Sequence, residues 1–174
     1  MTKIVSYEEL KIMNYNDFVE NIDLLFEKQE DLTRLLYGKR ENFNNYLGLI
    51  ENTRETLLGS NDLELKKRIV NAHPRIGEQK VKLSILSYQE QRSSEDKPND
   101  PIIEALAKLN EQYENKFGFK FIVFVNGRTK QEIIPVIEKR LLHTDTLSEL
   151  NLGLSEMMDI AKSRLSKLTI THKL

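Results

Sequence analysis

Cysteine is absent, glycine and proline are scarce, and neither sign of charge dominates. Without cysteine there is no disulfide, zinc ribbon or thiol nucleophile, and a reducing compartment is compatible. The 26 basic and 27 acidic residues are interspersed and leave a formal net charge of −1. That balance gives no basic field for nucleic acid and none for an acidic lipid surface. No apolar run approaches the roughly 20 residues of a membrane span, and Met1-Thr2-Lys3-Ile4 opens without a signal-peptide hydrophobic stretch. A cytoplasmic protein with no membrane partner is expected. The 174 residues suffice for one domain, 1–174, with a sizeable core.

With seven glycines and four prolines, little interrupts helix, and apolar residues recur mostly at three and four. The pattern predicts an all-α, single-domain helical bundle. A helix opening at Tyr15 carries Phe18, Ile22, Leu25 and Phe26 on one face. Further helical patterns cover roughly 30–37, 41–58 and 62–72. Residues 92–100 are polar and loop-like, after which Asp100 reads as an N-cap with Pro101 at the first helical position. That helix carries Ile102, Leu106, Leu109, Tyr113 and Phe117. A helix of about 147–168 presents Leu150, Leu154, Met157, Ala161, Leu165 and Leu168.

The exception is one extended segment near 119–125, Phe119-Lys120-Phe121-Ile122-Val123-Phe124-Val125, ended by the turn signal Asn126-Gly127. No second strand of equal strength is present, so its peptide groups need side chains, water or a ligand as partners. Thr129-Lys130-Gln131-Glu132 then matches a capping box. Pro135, about two turns in, is expected to kink the following helix or delay its start.

Chemistry concentrates at Ala72-His73-Pro74-Arg75-Ile76-Gly77-Glu78 and at Ser87-Tyr88-Gln89-Glu90-Gln91. The residue before a proline is pushed out of the α region, so the 62–72 helix must stop near His73 and leave an imidazole at its end. Ser87, Glu90 and Gln91 share one face if that stretch is helical. An imidazole, a carboxylate and two neutral hydrogen-bonding groups suit a small polar substrate with a labile carboxylate. Plainer readings stand beside this one. His73 can serve as a helix C-cap, and Ser87 with Glu90 fits a capping box. Arg164, beside Leu165 on an apolar stripe, must be paired, snorkelling or aimed into a pocket. No His-x-x-x-His or Glu-x-x-His spacing surrounds His73, so no metal site is expected.

In order, the chain shows Ala-His-Pro-Arg-Ile-Gly-Glu and Ser-x-x-Glu-Gln. Next come Leu109-Asn110-x-x-Tyr113-x-x-Lys116-Phe117-Gly118-Phe119-x-Phe121-Ile122-Val123 and Arg140-Leu141, then Glu156-x-x-x-Ile160-x-x-x-Arg164-Leu165. Over about residues 10–170 this resembles the 2-oxo-4-hydroxy-4-carboxy-5-ureidoimidazoline (OHCU) decarboxylases of urate degradation. The resemblance implies an all-helical, cofactor-free decarboxylase, often a homodimer, that forms (S)-allantoin and CO2. A 5-hydroxyisourate hydrolase would be its pathway neighbour. His73 matches the family's catalytic histidine, with Pro74 beside it in the substrate pocket. Ser87, Glu90 and Gln91 match its substrate-binding and acid–base cluster, with Glu90 catalytic. Phe121, Ile122, Val123, Phe124 and Val125 match the stretch whose backbone contacts substrate, and Arg164 the arginine near the substrate's carboxylate or ring oxygens. A helix end and a nearby carboxylate would favour an imidazolium, so a substrate-loaded site is expected to keep a proton on His73 near neutral pH. Two departures are Pro135, in a helix that usually runs clean, and a short span between His73 and Ser87. A binding module on the same scaffold, or an enzyme acting on a related ureide, are the alternative readings.

Overall fold

The computed structural model describes residues 3–78 and 100–171. Ser87, Glu90, Gln91 and the polar stretch 92–99 lie outside the described residues. Eight α-helices are present among the described residues: Tyr7–Ile12, Tyr15–Ile22, Glu30–Lys39, Tyr46–Gly59, Leu63–Asn71, Pro101–Phe117, Lys130–Leu141 and Thr146–Lys167. The architecture is the helical one the apolar spacing predicts.

Local chemistry starts most of these helices. Asp62 caps the 63–71 helix by accepting from the Leu65 amide at 2.9 Å, and Asp100 caps the 101–117 helix by accepting from Ile102 at 2.8 Å. Pro101 stands at the first turn, as expected. Thr129 and Glu132 form the reciprocal capping box at the start of the 130–141 helix. Pro135 sits inside that helix without delaying its start. Fully buried Ile133 and Ile137 anchor the helix on either side of the proline. The expected 41–58 helix divides. A 3-10 turn covers Arg40–Asn42, and the α-helix begins only at Tyr46, where Asn45 accepts from the Gly48 amide at 2.8 Å.

The last helix is the axis of the molecule. It packs against both the 46–59 and 63–71 helices, while the 101–117 helix packs against 130–141. Leu150, Leu154, Met157, Met158 and Ala161 are buried along it. Tyr113, with its ring centroid 4.6 Å from that of Phe117 and 5.2 Å from that of Phe121, forms an aromatic cluster under the extended segment.

The only paired strands among the described residues are not those the sequence singles out. Lys3–Val5 (β1) and Thr169–Thr171 (β2) form a two-stranded parallel sheet with Ile4 opposite Ile170. The Val5 amide donates to Asn21 Oδ1 at 3.1 Å, and its carbonyl accepts from the Tyr46 hydroxyl at 3.0 Å. Residues 119–125 are not helical, and among the described residues they belong to no sheet.

Candidate functional site

The extended segment is held by side chains, residue by residue. The Lys120 amide donates to Asn71 Oδ1 at 2.9 Å, and the Phe124 amide donates to Glu156 Oε2 at 2.6 Å. The Ile122 carbonyl accepts from Arg140 Nη1 at 2.7 Å, and Arg128 donates to the carbonyls of Phe124 and Val125 at 2.5 and 3.0 Å. Asn126 and Gly127, with φ of 49° and 78°, turn the chain back and bring the Arg128 amide 3.0 Å from the Val125 carbonyl. Among the described residues, the amides of Ile122, Val123 and Val125 have no hydrogen-bond partner.

A buried polar network fixes this arrangement from behind. Glu149 is 1% exposed and accepts from Tyr113 Oη at 2.5 Å and from Arg140 Nε at 2.9 Å, with the His143 ring also bonded to it. Burial alone would raise the Glu149 carboxyl's pKa. The Tyr113 hydroxyl, Arg140 and His143 outweigh it and hold the group below the usual carboxylate range. Arg140 thus joins a buried carboxylate to the Ile122 carbonyl.

On the other wall, the 63–71 helix ends as expected, with the His73 amide donating to the Val70 carbonyl at 3.1 Å. Lys120 Nζ reaches back to the His73 carbonyl at 3.0 Å, tying that wall to the extended segment. The loop is rigidly placed. Asn110 Nδ2 donates to the Ile76 carbonyl at 3.0 Å, and Arg75 clamps Glu114 at 2.5 and 2.6 Å. Gly77 has φ +79°, and a Cβ there would stand 3.2 Å from Leu106 Cδ1, so the position requires glycine.

Between these walls lies a cavity of about 310 Å³, within the size range of small-molecule sites. His73, Pro74 and Ile76 form one side, residues 121–127 another, and Ile160, Ser163 and Lys167 of the last helix a third. The structure therefore brings His73 and Pro74 together with Phe121, Ile122, Val123, Phe124 and Val125. Arg164 is not among the described residues that line the cavity. It is 3% exposed and pairs with Glu27 Oε1 at 3.0 Å, also donating to the Leu25 carbonyl at 3.3 Å. Among the described residues no group of three or more acidic or imidazole side chains is arranged to hold a metal ion.

Burial sets the charge state of His73 in the protein alone. Burial pushes its pKa down to about 4, with the positive charge of Arg164 acting in the same direction. Glu27 opposes this and Lys120 adds to it, but burial dominates. The imidazolium favoured by a helix end gives way to a neutral ring.

Sequence reasoning gave no role to Glu156, Lys120, Asn71, Arg128, Glu27 or Lys167. Glu156 is part of the Glu156-x-x-x-Ile160-x-x-x-Arg164 motif, and Ile160, Ser163 and Lys167 continue its helical face at spacings of four, three and four. That periodicity was the available signal. The pairing of Arg164 with Glu27 spans 137 residues and left none.

A helical scaffold, a cavity of small-molecule size and a buried imidazole on its wall have the geometry of a small-molecule site. The family model for OHCU decarboxylase matches residues 11–166, and the chain belongs to that family. It is 26% identical over 171 residues to the 2-oxo-4-hydroxy-4-carboxy-5-ureidoimidazoline decarboxylase of Halalkalicoccus jeotgali, covering 98% of this chain and 94% of that one. It is 28% identical over 167 residues to the uric acid degradation bifunctional protein of Bacillus sp. (strain TB-90), covering 92% of this chain and 32% of that protein. It therefore spans about a third of the length of this bifunctional relative. Among solved structures, an OHCU decarboxylase crystallised in the presence of (S)-allantoin superposes with a TM-score of 0.60. It shares 22% identity over 79% of this chain and 89% of that one. An (S)-allantoin synthase superposes with a TM-score of 0.66, at 19% identity over 94% of this chain and 54% of that one. Both likenesses extend to the fold.

Proposed function

We propose that this chain is a carboxy-lyase that converts OHCU to (S)-allantoin and CO2 in urate breakdown. One observation carries the reading. A buried, neutral His73 shares a cavity with the backbone amides of Ile122, Val123 and Val125, which have no partner among the described residues.

The substrate bears its carboxylate and a hydroxyl on C4, next to a ring C5=N bond. As the C–CO2 bond breaks, its electron pair forms C4=C5 and the ring nitrogen takes up a proton. The resulting enol loses its hydroxyl proton as C5 gains one, leaving the C4 carbonyl and the C5–H of allantoin. The ring supplies its own electron sink, so the reading needs neither metal nor organic cofactor. The protein must align the C–CO2 bond perpendicular to the ring and handle one proton on one face. A neutral His73 suits this, because it can accept the hydroxyl proton and return it to C5, which an imidazolium cannot begin. The amides of Ile122, Val123 and Val125 suit the carbonyl oxygens of the ureido and ring groups.

Glu90 is assigned the role of orienting His73 or sharing its proton, and Ser87 and Gln91 that of binding the ureido group beside Pro74. Arg164, held by Glu27, supplies fixed positive charge that disfavours a second cation on His73 and favours an anionic substrate. The working unit we propose is the single domain 1–174, a cytoplasmic homodimer, with a 5-hydroxyisourate hydrolase supplying the precursor. Among the described residues no helix is long and apolar enough to cross a membrane.

Incubation with freshly generated OHCU, followed by circular dichroism, tests the proposal. Accelerated appearance of the (S)-allantoin signal is expected. Decay at the uncatalysed rate to racemic product would refute it.

A further inference from the structure

We propose that Lys167 is a specificity-determining residue that recruits the substrate's carboxylate at the rim of the cavity. The inference rests on the function proposed above and adds a residue to that site.

Arg164 is buried against Glu27 and does not line the cavity among the described residues. His73 carries no charge at neutral pH. The other described lining groups are apolar side chains, backbone, Asn126 and Ser163. Lys167 is thus the permanent cation among the described lining residues. It lies one turn beyond Ser163 on the same face of the last helix. It is exposed, and its ammonium has no hydrogen-bond or carboxylate partner among the described residues. A long flexible stem with a solvated charge suits capture of an anion from solution.

The chemistry fixes what such a contact can do. The carboxylate's charge moves into the ring as CO2 departs, so a cation on that carboxylate binds the reactant more tightly than the transition state. Its contribution falls on KM and not on kcat.

The test compares wild type with Lys167→Met, which keeps the stem and loses the charge, and Lys167→Arg, which keeps the charge. Wild-type turnover of OHCU tests the function itself, whereas the difference between variants tests Lys167. Lys167→Met should raise KM by about 3- to 10-fold without lowering kcat, and Lys167→Arg should restore KM. The KM of wild type should rise with salt, and that slope should flatten in Lys167→Met. Direct binding gives a readout independent of turnover. Lys167→Met should weaken allantoate, which carries a carboxylate, by a similar factor and leave uncharged allantoin unaffected. An unchanged KM and salt slope would overturn the proposal, as would a loss confined to kcat or equal loss of both ligands. Wild type that binds neither ligand would overturn it as well.

Discussion

Two non-helical regions, residues 119–125 and the β1–β2 pair, satisfy their peptide groups by different means. In the β1–β2 pair, Lys3–Val5 and Thr169–Thr171 bond to each other in register, and the strands contribute no residue to the cavity. Residues 119–125 have no strand partner among the described residues. Their carbonyls and amides are taken one by one by Arg140, Arg128, Glu156 and Asn71. A ladder uses up every second peptide group in a fixed rhythm, which closes the edge. Side-chain partners can be chosen individually, so some amides can be left facing a cavity. The price is a set of buried or half-buried charges, each of which must itself be paired.

The largest effect is therefore expected at the support of the unpaired segment. Arg140→Met leaves Glu149 buried without its guanidinium and the Ile122 carbonyl without its donor. Removing one member of a buried pair costs about 3–5 kcal/mol, which denaturant unfolding would measure. Adding Glu149→Leu to Arg140→Met should recover much of that stability. Activity should stay low, because the Ile122 carbonyl remains unheld. Full recovery of both would mean that the network stabilises the fold without shaping the site.

His73 comes next. His73→Asn keeps a hydrogen-bonding side chain but cannot shuttle a proton. It should lower kcat by roughly 100-fold or more while leaving allantoin binding and the helical circular-dichroism signal intact. Near-wild-type turnover would make His73 a structural cap only. The same residue predicts a pH dependence. Its folded pKa of about 4 lies below the ordinary 6.5. Between those values the unfolded chain binds the proton that the folded one refuses. The contribution is fully present above pH 6.5 and is lost as pH falls toward 4, by about 3 kcal/mol in all. The stability of wild type relative to His73→Asn should fall by about 3 kcal/mol as pH drops through that window. Parallel curves would show that the ring is not buried neutral.

Glu156→Gln is a finer cut. It retains an oxygen for the Phe124 amide but removes the charge that shortens that bond to 2.6 Å. A loss of about 1 kcal/mol is expected, the difference between a charge-assisted and a neutral hydrogen bond. KM for OHCU should rise several-fold as the segment loosens. An unchanged KM would place Phe124 outside the substrate's reach.

What could be read from the sequence divides along the same line. Features set by neighbours in the chain were legible: the Asp100–Pro101 start, the Thr129–Glu132 box, the stop at His73 and the break in helix at 119–125. The start of the 46–59 helix was not, because Asn45 and the preceding 3-10 turn interrupt an apolar spacing that reads as continuous. The Arg164–Glu27 pair and the terminal sheet join distant parts of the chain, and no periodicity announces them. The neutral state of His73 follows from burial, which its helix-end position does not disclose. Within the motif that made the resemblance specific, Asn110, Tyr113 and Lys116 bind the Ile76 carbonyl, Glu149 and the Leu141 carbonyl. These residues position the walls, and His73 and residues 121–125 line the cavity.

The smallest effect is expected in the region that does close its own edge. Ile170 is 53% exposed on β2, opposite Ile4 in the parallel register. Ile170→Thr keeps a β-branched side chain, so strand preference is retained and only exposed apolar surface is lost. Stability should change by less than about 0.5 kcal/mol, the usual range for a surface substitution. Turnover of OHCU should remain at the wild-type value, because neither strand lines the cavity. A clear fall in kcat would mean that the sheet does more than join the two ends of the described chain. Its route to the site would then be short, since Leu168 alone separates β2 from the helix that ends at Lys167.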